Sequence, residues 1–252
     1  MVSLFQAIIL SIVHGITEWF PVSSTGHLAL LQHFFGFQDF SFDIFLHLAS
    51  VLALIIFFRK DILAFFSFDK KNRNYMLKII LAILPAGILG ILYRDFFESL
   101  MGNLFLLGIC FIISGIVIYL TKFTTAQKKE VSFFDALIIG MFQAIALLPS
   151  VSRSGMTISS GLFRNINRVE TARFSFLLAI PVLLGASLFE AKNIAHLNIS
   201  YSVLLVSFVV TLATSLLTIK FIMKIVTNDK FYLFSWYNII LGLLIVGYSL
   251  FF

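Results

Sequence analysis

The hydrophobic and polar positions of this chain form long apolar runs separated by short basic or polar segments. A helix needs about 20 apolar residues to cross the roughly 30 Å of hydrocarbon in a bilayer. Six runs are long enough. They predict membrane-spanning helices over residues 42–58, 75–93, 103–121, 172–191, 201–223 and 233–251.

Two further apolar stretches, 1–36 and 131–165, are each interrupted by a segment rich in Ser, Gly and Pro. The first break covers residues 21–27 and the second covers 149–155. Each half is only about 12–15 residues long, which is too short to span. Non-helical backbone at membrane depth is tolerated where protein buries it or where it lines a wet cavity. The pattern therefore predicts two re-entrant helical hairpins that enter and leave on one side.

Composition agrees with a membrane protein and excludes several other classes. Of 252 residues, 60% are apolar, 12% are charged and 31 are Phe, and the mean hydropathy is +1.03. A soluble domain carries about twice that charged fraction. The net charge of +6 does not indicate nucleic-acid binding, because Lys and Arg of membrane proteins collect in cytoplasmic loops. The first basic residue is Arg59, so a cleaved signal peptide is not expected.

The distribution of basic residues predicts an orientation. With six spans and two hairpins, fifteen of the 18 Lys and Arg residues fall on one side, in loops 59–78, 122–130, 164–173 and 220–230. The other side carries only Arg94 and Lys192, and Arg153 lies inside the second hairpin. By the positive-inside rule the basic side is cytoplasmic. We therefore expect a multi-pass protein of the cell (plasma) membrane with both termini extracellular or periplasmic.

The two halves of the chain resemble each other. Residues 22–26 are similar to residues 151–155, at an offset of 129. Each half holds one hairpin and three spans, and because three is odd the halves point in opposite directions. The sequence therefore predicts one membrane domain built from two inverted repeats, 1–122 and 131–252. In such proteins the site lies near the midplane, between the repeats.

Ionisable residues lie within both hairpins: Glu18 and His27 in the first, Arg153 in the second. Such intramembrane groups are functional candidates by default, and the alternative is a structural ion pair that holds the hairpins together. Small polar residues crowd the same two loops: Ser23, Ser24, Thr25, Gly26, Ser150, Ser152, Ser154, Gly155 and Thr157. Hydroxyls, accessible backbone N–H groups, helix N-termini and a planar guanidinium together predict binding of an anion, above all phosphate.

Phosphate chemistry also needs a nucleophile or base, and often a divalent cation. His27 suits a nucleophile or a proton shuttle. Glu18 suits Mg²⁺ or Ca²⁺, which prefer oxygen ligands, and His14, four residues earlier, shares its helix face. One carboxylate alone supplies too few ligands for a metal ion, so substrate oxygens and water would have to complete the coordination. His47 is explained equally well as a satisfied helical histidine and as a functional one.

These motifs resemble those of the undecaprenyl pyrophosphate phosphatase family, also called the bacitracin-resistance proteins. Residues 15–27 resemble its first motif and residues 143–157 its second, and the similarity covers essentially the whole chain. The resemblance implies an all-α membrane protein with an inverted repeat. It also implies hydrolysis of a polyprenyl diphosphate to the monophosphate, which regenerates the lipid carrier for cell-envelope glycans and confers bacitracin resistance.

The resemblance also implies roles for individual residues. Glu18 acts in catalysis or metal binding, Ser24, Thr25 and Arg153 surround the phosphates, and His27 is catalytic. Either a serine or the histidine is the nucleophile. The expected cofactor is Mg²⁺ or Ca²⁺, and the expected partners are the polyprenyl diphosphate and the lipid bilayer. A homodimer is compatible with the sequence, which does not fix the oligomeric state.

Two positions depart from the family pattern. His14 stands where the family usually has Glu or Gln, and Ser150 stands where it usually has Gly, which permits a positive φ. His14 either replaces a carboxylate as ligand or base or disables the metal site. Two alternatives therefore stay open at this point. One is a polyprenyl-phosphate transporter or flippase, because inverted repeats commonly support alternating access; the other is a catalytically weakened paralogue.

Overall fold

The fold is all-α, as the sequence predicts. The structure is a computed structural model that describes residues 2–66, 69–125, 127–191, 194, 197–227 and 229–251. In these ranges there is no β-strand, and Lys128 and Ile166 form an isolated β-bridge. The α-helices, in chain order, are α1 (Leu4–Thr17), α2 (Ser24–Phe35), α3 (Phe40–Phe57), α4 (Arg59–Phe65), α5 (Lys70–Leu92), α6 (Arg94–Leu100), α7 (Leu104–Leu120), α8 (Phe133–Ile145), α9 (Arg153–Phe163), α10 (Arg168–Phe189), α11 (Tyr201–Thr227) and α12 (Phe234–Phe251).

The six predicted membrane-spanning helices are confirmed. Helices α3, α5, α7, α10, α11 and α12 are long and apolar enough to cross a membrane, and α7 and α12 are each extended by a 3₁₀ turn. The largest difference from the prediction is at α5, which begins at Lys70 rather than at residue 75. Hydropathy detects only the apolar part of a helix, whereas good helix formers such as Lys and Arg prolong it beyond that part.

Two short helices, α4 and α6, were not predicted. Each has seven residues and follows directly after a spanning helix. A helix of two turns is shorter than the window over which helical periodicity can be recognised. Lys192, which was counted with the external basic residues, lies outside the described residues.

The two broken stretches form the helix pairs α1–α2 and α8–α9. These helices have 14, 12, 13 and 11 residues. At about 1.5 Å per residue, none of them covers the roughly 30 Å of hydrocarbon. The breaks between the helices cover residues 18–23 and 146–152, so they overlap the predicted segments but begin and end about three residues earlier. The re-entrant placement of each pair in a bilayer stays a prediction.

The two breaks end in the same way, with a serine that caps the following helix. Ser23 accepts a hydrogen bond from the Gly26 N–H and caps α2, and Ser152 accepts one from the Gly155 N–H and caps α9. Serine is a strong N-cap because its oxygen satisfies a donor that has no intrahelical partner. The caps make Ser24 and Arg153 the first residues of their helices.

Helices from the two halves of the chain pack against each other. Helix α1 packs on α11, α5 packs on α8, α3 packs on α10 and α7 packs on α12. A Cβ built on Gly108 would lie 2.9 Å from the Gly242 carbonyl oxygen, and one built on Gly242 would lie 2.6 Å from the Gly108 carbonyl oxygen. Glycines thus let α7 and α12 approach closely, as small residues do between membrane helices.

Candidate active site

The two broken loops meet in the folded chain. Arg153 Nη2 donates to Glu18 Oε1 at 2.6 Å, and Ser154 Oγ donates to the Phe20 carbonyl oxygen at 3.2 Å. A Cβ on Gly26 would lie 2.6 Å from Ser150 Oγ, so the absence of a side chain at Gly26 makes room for the second loop. The structure thus brings together the loops that the sequence separates by more than a hundred residues.

A cavity of about 140 Å³ lies where the loops meet. Its polar lining is contributed by six residues predicted from the sequence, namely Glu18, Ser23, Ser24, Thr25, Ser152 and Arg153, and by Thr17, His47 and Gln143. Pockets for drug-sized ligands are about 300–1,000 Å³. This smaller volume suits a phosphate-containing head group, and a long prenyl chain has to lie outside it.

Glu18 is the central residue of the cavity. Its Oε1 accepts from Arg153, while its Oε2 accepts from Ser24 Oγ at 2.5 Å. His47 Nε2 lies 3.4 Å from the same Oε2. A hydroxyl within hydrogen-bond reach of a carboxylate, which a third group orients, is the arrangement of an activated nucleophile.

The position of His47 beside Glu18 was missed from the sequence. No pattern in the sequence connects His47 with a residue 29 positions earlier in the chain. In the structure, His47 Nδ1 donates to the Asp43 carbonyl oxygen at 2.9 Å, and this bond directs the other ring nitrogen at Glu18.

Arg153 is held on two sides and keeps one donor group for a ligand. Besides its bond to Glu18, its guanidinium carbon lies 5.9 Å from the centroid of the Trp19 ring. Its Nη1 is buried and has no hydrogen-bond partner among the described residues. Because the side chain lines the cavity, this group is suited to a phosphate oxygen.

His27 lies beside the first loop and is not among the residues that line the cavity. Its Nδ1 is 2.7 Å from the Ser23 carbonyl oxygen, so this nitrogen carries the proton. Its Nε2 then accepts from the Tyr237 hydroxyl at 2.6 Å, and the two rings stack. Both nitrogens are thus engaged. The predicted role of His27 as nucleophile or proton shuttle stays a prediction.

The remaining predicted phosphate ligands stabilise the loops in this structure. The Gly26 and Gly155 N–H groups donate to the capping serines, and Ser154 bonds to the first loop as described above. Thr157 Oγ1 donates to the Arg153 carbonyl oxygen at 2.9 Å and lies 2.6 Å from Ser175 Oγ. None of these four residues lines the cavity, and their contact with phosphate stays a prediction.

Ser150 adopts the positive φ that its family position suggests. Its φ is +61°, in the left-handed region that favours glycine. Its Oγ is buried and finds no partner in the described part of the chain. The serine therefore adopts a left-handed backbone conformation at an energetic disadvantage.

His14 lies on α1, one helical turn before Glu18, and contacts α3. It is fully buried; its Nε2 lies 3.2 Å from Ser50 Oγ and its ring centroid 4.6 Å from that of His47. One ligand atom from each of His14, Glu18 and His47 lies within 4.8 Å of the others. Two imidazoles and one carboxylate do not fit the predicted Mg²⁺ or Ca²⁺, because both ions require mostly oxygen ligands.

A larger cavity of about 370 Å³ contains none of the predicted site residues. Its lining includes Lys122, Arg168, Asp229 and Tyr232, and Arg168 pairs with Asp229. The side chains that line it form no arrangement of nucleophile and base like that of Ser24 and Glu18.

Comparison with known proteins covers nearly the whole chain. The family model for bacitracin resistance protein BacA matches residues 7–244. A protein of Carboxydothermus hydrogenoformans named undecaprenyl-diphosphatase is 39% identical, with 96% of each chain covered. Proteins with the same name from Thermodesulfovibrio yellowstonii and Halothermothrix orenii are 36% and 35% identical. The former match covers 97% of each chain, and the latter covers 96% of this chain and 97% of the relative.

Proposed function

We propose that this chain, which belongs to the bacitracin resistance protein BacA family, hydrolyses undecaprenyl diphosphate to undecaprenyl phosphate and inorganic phosphate. The observation that carries the proposal is the set of contacts from Glu18 to Arg153 and Ser24. These contacts support the assignment of Glu18 as the base, Arg153 as the phosphate-binding cation and Ser24 as the nucleophile. The product is the lipid carrier for envelope glycans, and its regeneration explains a role in bacitracin resistance.

Ser24 is the nucleophile in the first step. Its Oγ attacks the terminal phosphorus while Glu18 Oε2, 2.5 Å away, takes the hydroxyl proton. The Oγ–P bond forms and the bond from phosphorus to the bridging oxygen breaks, so undecaprenyl phosphate leaves with the electron pair. Arg153 Nη1 and the first N–H groups of α2 and α9 stabilise the negative charge on the phosphoryl oxygens.

Water completes the reaction in the second step. Glu18 first gives the proton that it took from Ser24 to the departing lipid phosphate, and its carboxylate then accepts a proton from the water molecule that attacks the phosphoserine. The Ser24 O–P bond then breaks, the serine oxygen recovers a proton from Glu18, and inorganic phosphate is released. Arg153 holds the Glu18 carboxyl group in position in both steps because the two side chains are paired at 2.6 Å.

His27 acts as a positioning residue in this mechanism. Its hydrogen bond to the Ser23 carbonyl oxygen fixes the backbone of Ser23, the residue before Ser24. Ser23 has a positive φ of +61°. Tyr237 holds the other side of the imidazole. A displacement of the nucleophile by about 1 Å costs on the order of 10²-fold in rate, so His27 matters without contacting phosphorus.

The chain is an inverted repeat with its termini outside the cell. The packing of α1 on α11 and of α5 on α8 supports the repeat, because exchanging the two halves converts one pair into the other. The two serine caps and the close pair Gly108–Gly242 support it as well. The basic loop between α3 and α5 supports a cytoplasmic position for the end of α3 and the start of α5. The chain termini then lie outside the cell.

Phosphate release by the purified, detergent-solubilised chain tests the proposed function. With undecaprenyl diphosphate as substrate we expect multiple turnovers by the wild type and a loss in Glu18→Gln, at matched elution profiles. A transporter without hydrolase activity needs two compartments and releases no phosphate in detergent. Absence of turnover by folded wild type, both as purified and with added Mg²⁺ or Zn²⁺, would overturn the proposal.

A further inference from the structure

We infer that His14, His47 and Glu18 form a binding site for a divalent transition-metal ion with the coordination chemistry of Zn²⁺. The site differs from the Mg²⁺ or Ca²⁺ site that the family resemblance implies. It concerns binding of an ion in the absence of substrate and is tested separately from the proposed mechanism, in which the metal-free Glu18 carboxylate is the base.

The hydrogen bonds of the two imidazoles leave one lone pair of each for an ion. His47 donates its Nδ1 proton to the Asp43 carbonyl oxygen at 2.9 Å, so Nε2 is unprotonated and lies on the Glu18 side. His14 Nε2 pairs with Ser50 Oγ at 3.2 Å. With that nitrogen as the donor, Nδ1 is the unprotonated one. Metal-bound histidines typically have this pattern, since the second ring nitrogen donates to a carbonyl or a side chain.

His14 Nδ1 is the most informative of these atoms. It is fully buried, and within the described ranges of the chain it has no hydrogen-bond partner. Buried polar atoms are nearly always paired, and leaving one unpaired costs about 1–3 kcal/mol. An ion bound between His14, Glu18 and His47 would satisfy this nitrogen.

The hydrogen bonds that hold His14 extend through Ser50 to another helix. Ser50 Oγ, the partner of His14, lies 3.1 Å from Ser215 Oγ on α11. The three helices α1, α3 and α11 therefore fix the orientation of His14 together. A histidine that only packs in the core does not require an orientation fixed by two successive hydroxyl groups, those of Ser50 and Ser215.

The separation of the ligand atoms suits a small tetrahedral ion. With bonds of about 2.0–2.1 Å, ligands of tetrahedral Zn²⁺ are about 3.4 Å apart, and His47 Nε2 lies 3.4 Å from Glu18 Oε2. One ligand atom each of His14, Glu18 and His47 lies within 4.8 Å of the others, so the three side chains have to draw closer together to share one ion.

The donor set selects the class of ion. Two imidazole nitrogens and one carboxylate oxygen are the protein ligands of many catalytic Zn²⁺ sites, which keep a further position for water or substrate. Imidazole favours Zn²⁺, Co²⁺ and Ni²⁺ over Mg²⁺ and Ca²⁺. Since Glu18 and His47 also line the cavity, a bound ion would place positive charge beside a phosphate group.

Titration of the metal-free protein with Co²⁺ tests the inference directly. The chain is purified without a polyhistidine tag and stripped with EDTA, and visible d–d absorption then reports coordination by nitrogen and oxygen ligands. We expect one Co²⁺ per chain, displaced by one equivalent of Zn²⁺ and not by millimolar Mg²⁺. His14→Gln and His47→Gln should each weaken Co²⁺ binding by at least about 100-fold, since even outer-shell changes cost 10–100-fold.

His33→Gln is the matched control, because His33 is an exposed imidazole at the end of α2. It should bind Co²⁺ like the wild type. His14→Glu replaces the imidazole by a carboxylate and should shift the preference toward Mg²⁺. All variants are compared only at equal elution profile and thermal midpoint. Displacement of Co²⁺ by millimolar Mg²⁺, or equal Co²⁺ affinity of wild type and His14→Gln, would overturn the inference.

Discussion

Replacement of Ser24 by Ala removes the hydroxyl that donates to Glu18 Oε2 at 2.5 Å. If Ser24 is the nucleophile, this variant loses the covalent route and depends on direct attack by water. We expect turnover to fall by at least about 10²-fold, the lower bound for a positioned acid–base pair. The folding penalty is small, because one hydrogen bond contributes about 1 kcal/mol.

The comparison with His27→Ala separates a nucleophile from a positioning residue. This variant loses two hydrogen bonds, to the Ser23 carbonyl oxygen and to the Tyr237 hydroxyl. At about 1 kcal/mol each they amount to about 2 kcal/mol. If the whole of this energy serves to align Ser24, the rate falls by about 30-fold. Ser24→Ala should therefore be the more damaged of the two variants.

The assay is single-turnover reaction with undecaprenyl diphosphate labelled in its terminal phosphate. The reaction is quenched and the labelled residue is located by mass spectrometry, with phosphoserine and phosphohistidine distinguished by their stability in acid. We expect label on Ser24 in the wild type and in His27→Ala, and no label in Ser24→Ala. Label on His27, or turnover of Ser24→Ala within tenfold of the wild type, would refute the reasoning.

Three further changes test other parts of the structure. Arg153→Lys keeps the charge but loses the planar guanidinium, which can bind two phosphate oxygens at once. Phosphate release should therefore fall at least about tenfold at an unchanged elution profile. Near-normal turnover would show that Arg153 is peripheral to the reaction. Ser150→Gly removes a side chain from a residue with φ of +61° and should stabilise the protein by about 1 kcal/mol; a lower thermal midpoint in detergent would contradict this. In a Cys110→Ser background, a cysteine replacing Lys71 should react with a membrane-impermeant maleimide only after the cells are opened; labelling of intact cells would show that the predicted orientation is wrong.

The spanning helices could be predicted because the bilayer imposes a length and a polarity on each of them. The six apolar runs correspond to α3, α5, α7, α10, α11 and α12, and the errors lie at helix ends. The short helices α4 and α6 escaped prediction because seven residues carry too little periodicity. The orientation of the termini and the re-entrant placement of the hairpins are still predictions, since both are properties of the chain within a bilayer.

The candidate site could be predicted in part. Glu18, Ser24 and Arg153 were singled out because charged and hydroxyl groups are rare in apolar hairpins, and the structure brings them into contact. His27 was given the central chemical role because it follows the first loop motif. Its bond to Tyr237 could not be predicted, because Tyr237 is 210 positions away.

The sequence by itself determined the class of this protein, its six spans, its two broken helix pairs and the candidate residues of its site. Those features depend on local composition and on the length that a membrane requires. Only the tertiary structure decided which side chains lie together. Ser24 bonds to Glu18, and Ser150 packs against Gly26. One ligand atom each of His47, Glu18 and His14 lies within 4.8 Å of the others. Such contacts depend on side-chain orientation across helices far apart in the chain, and no local pattern encodes that orientation.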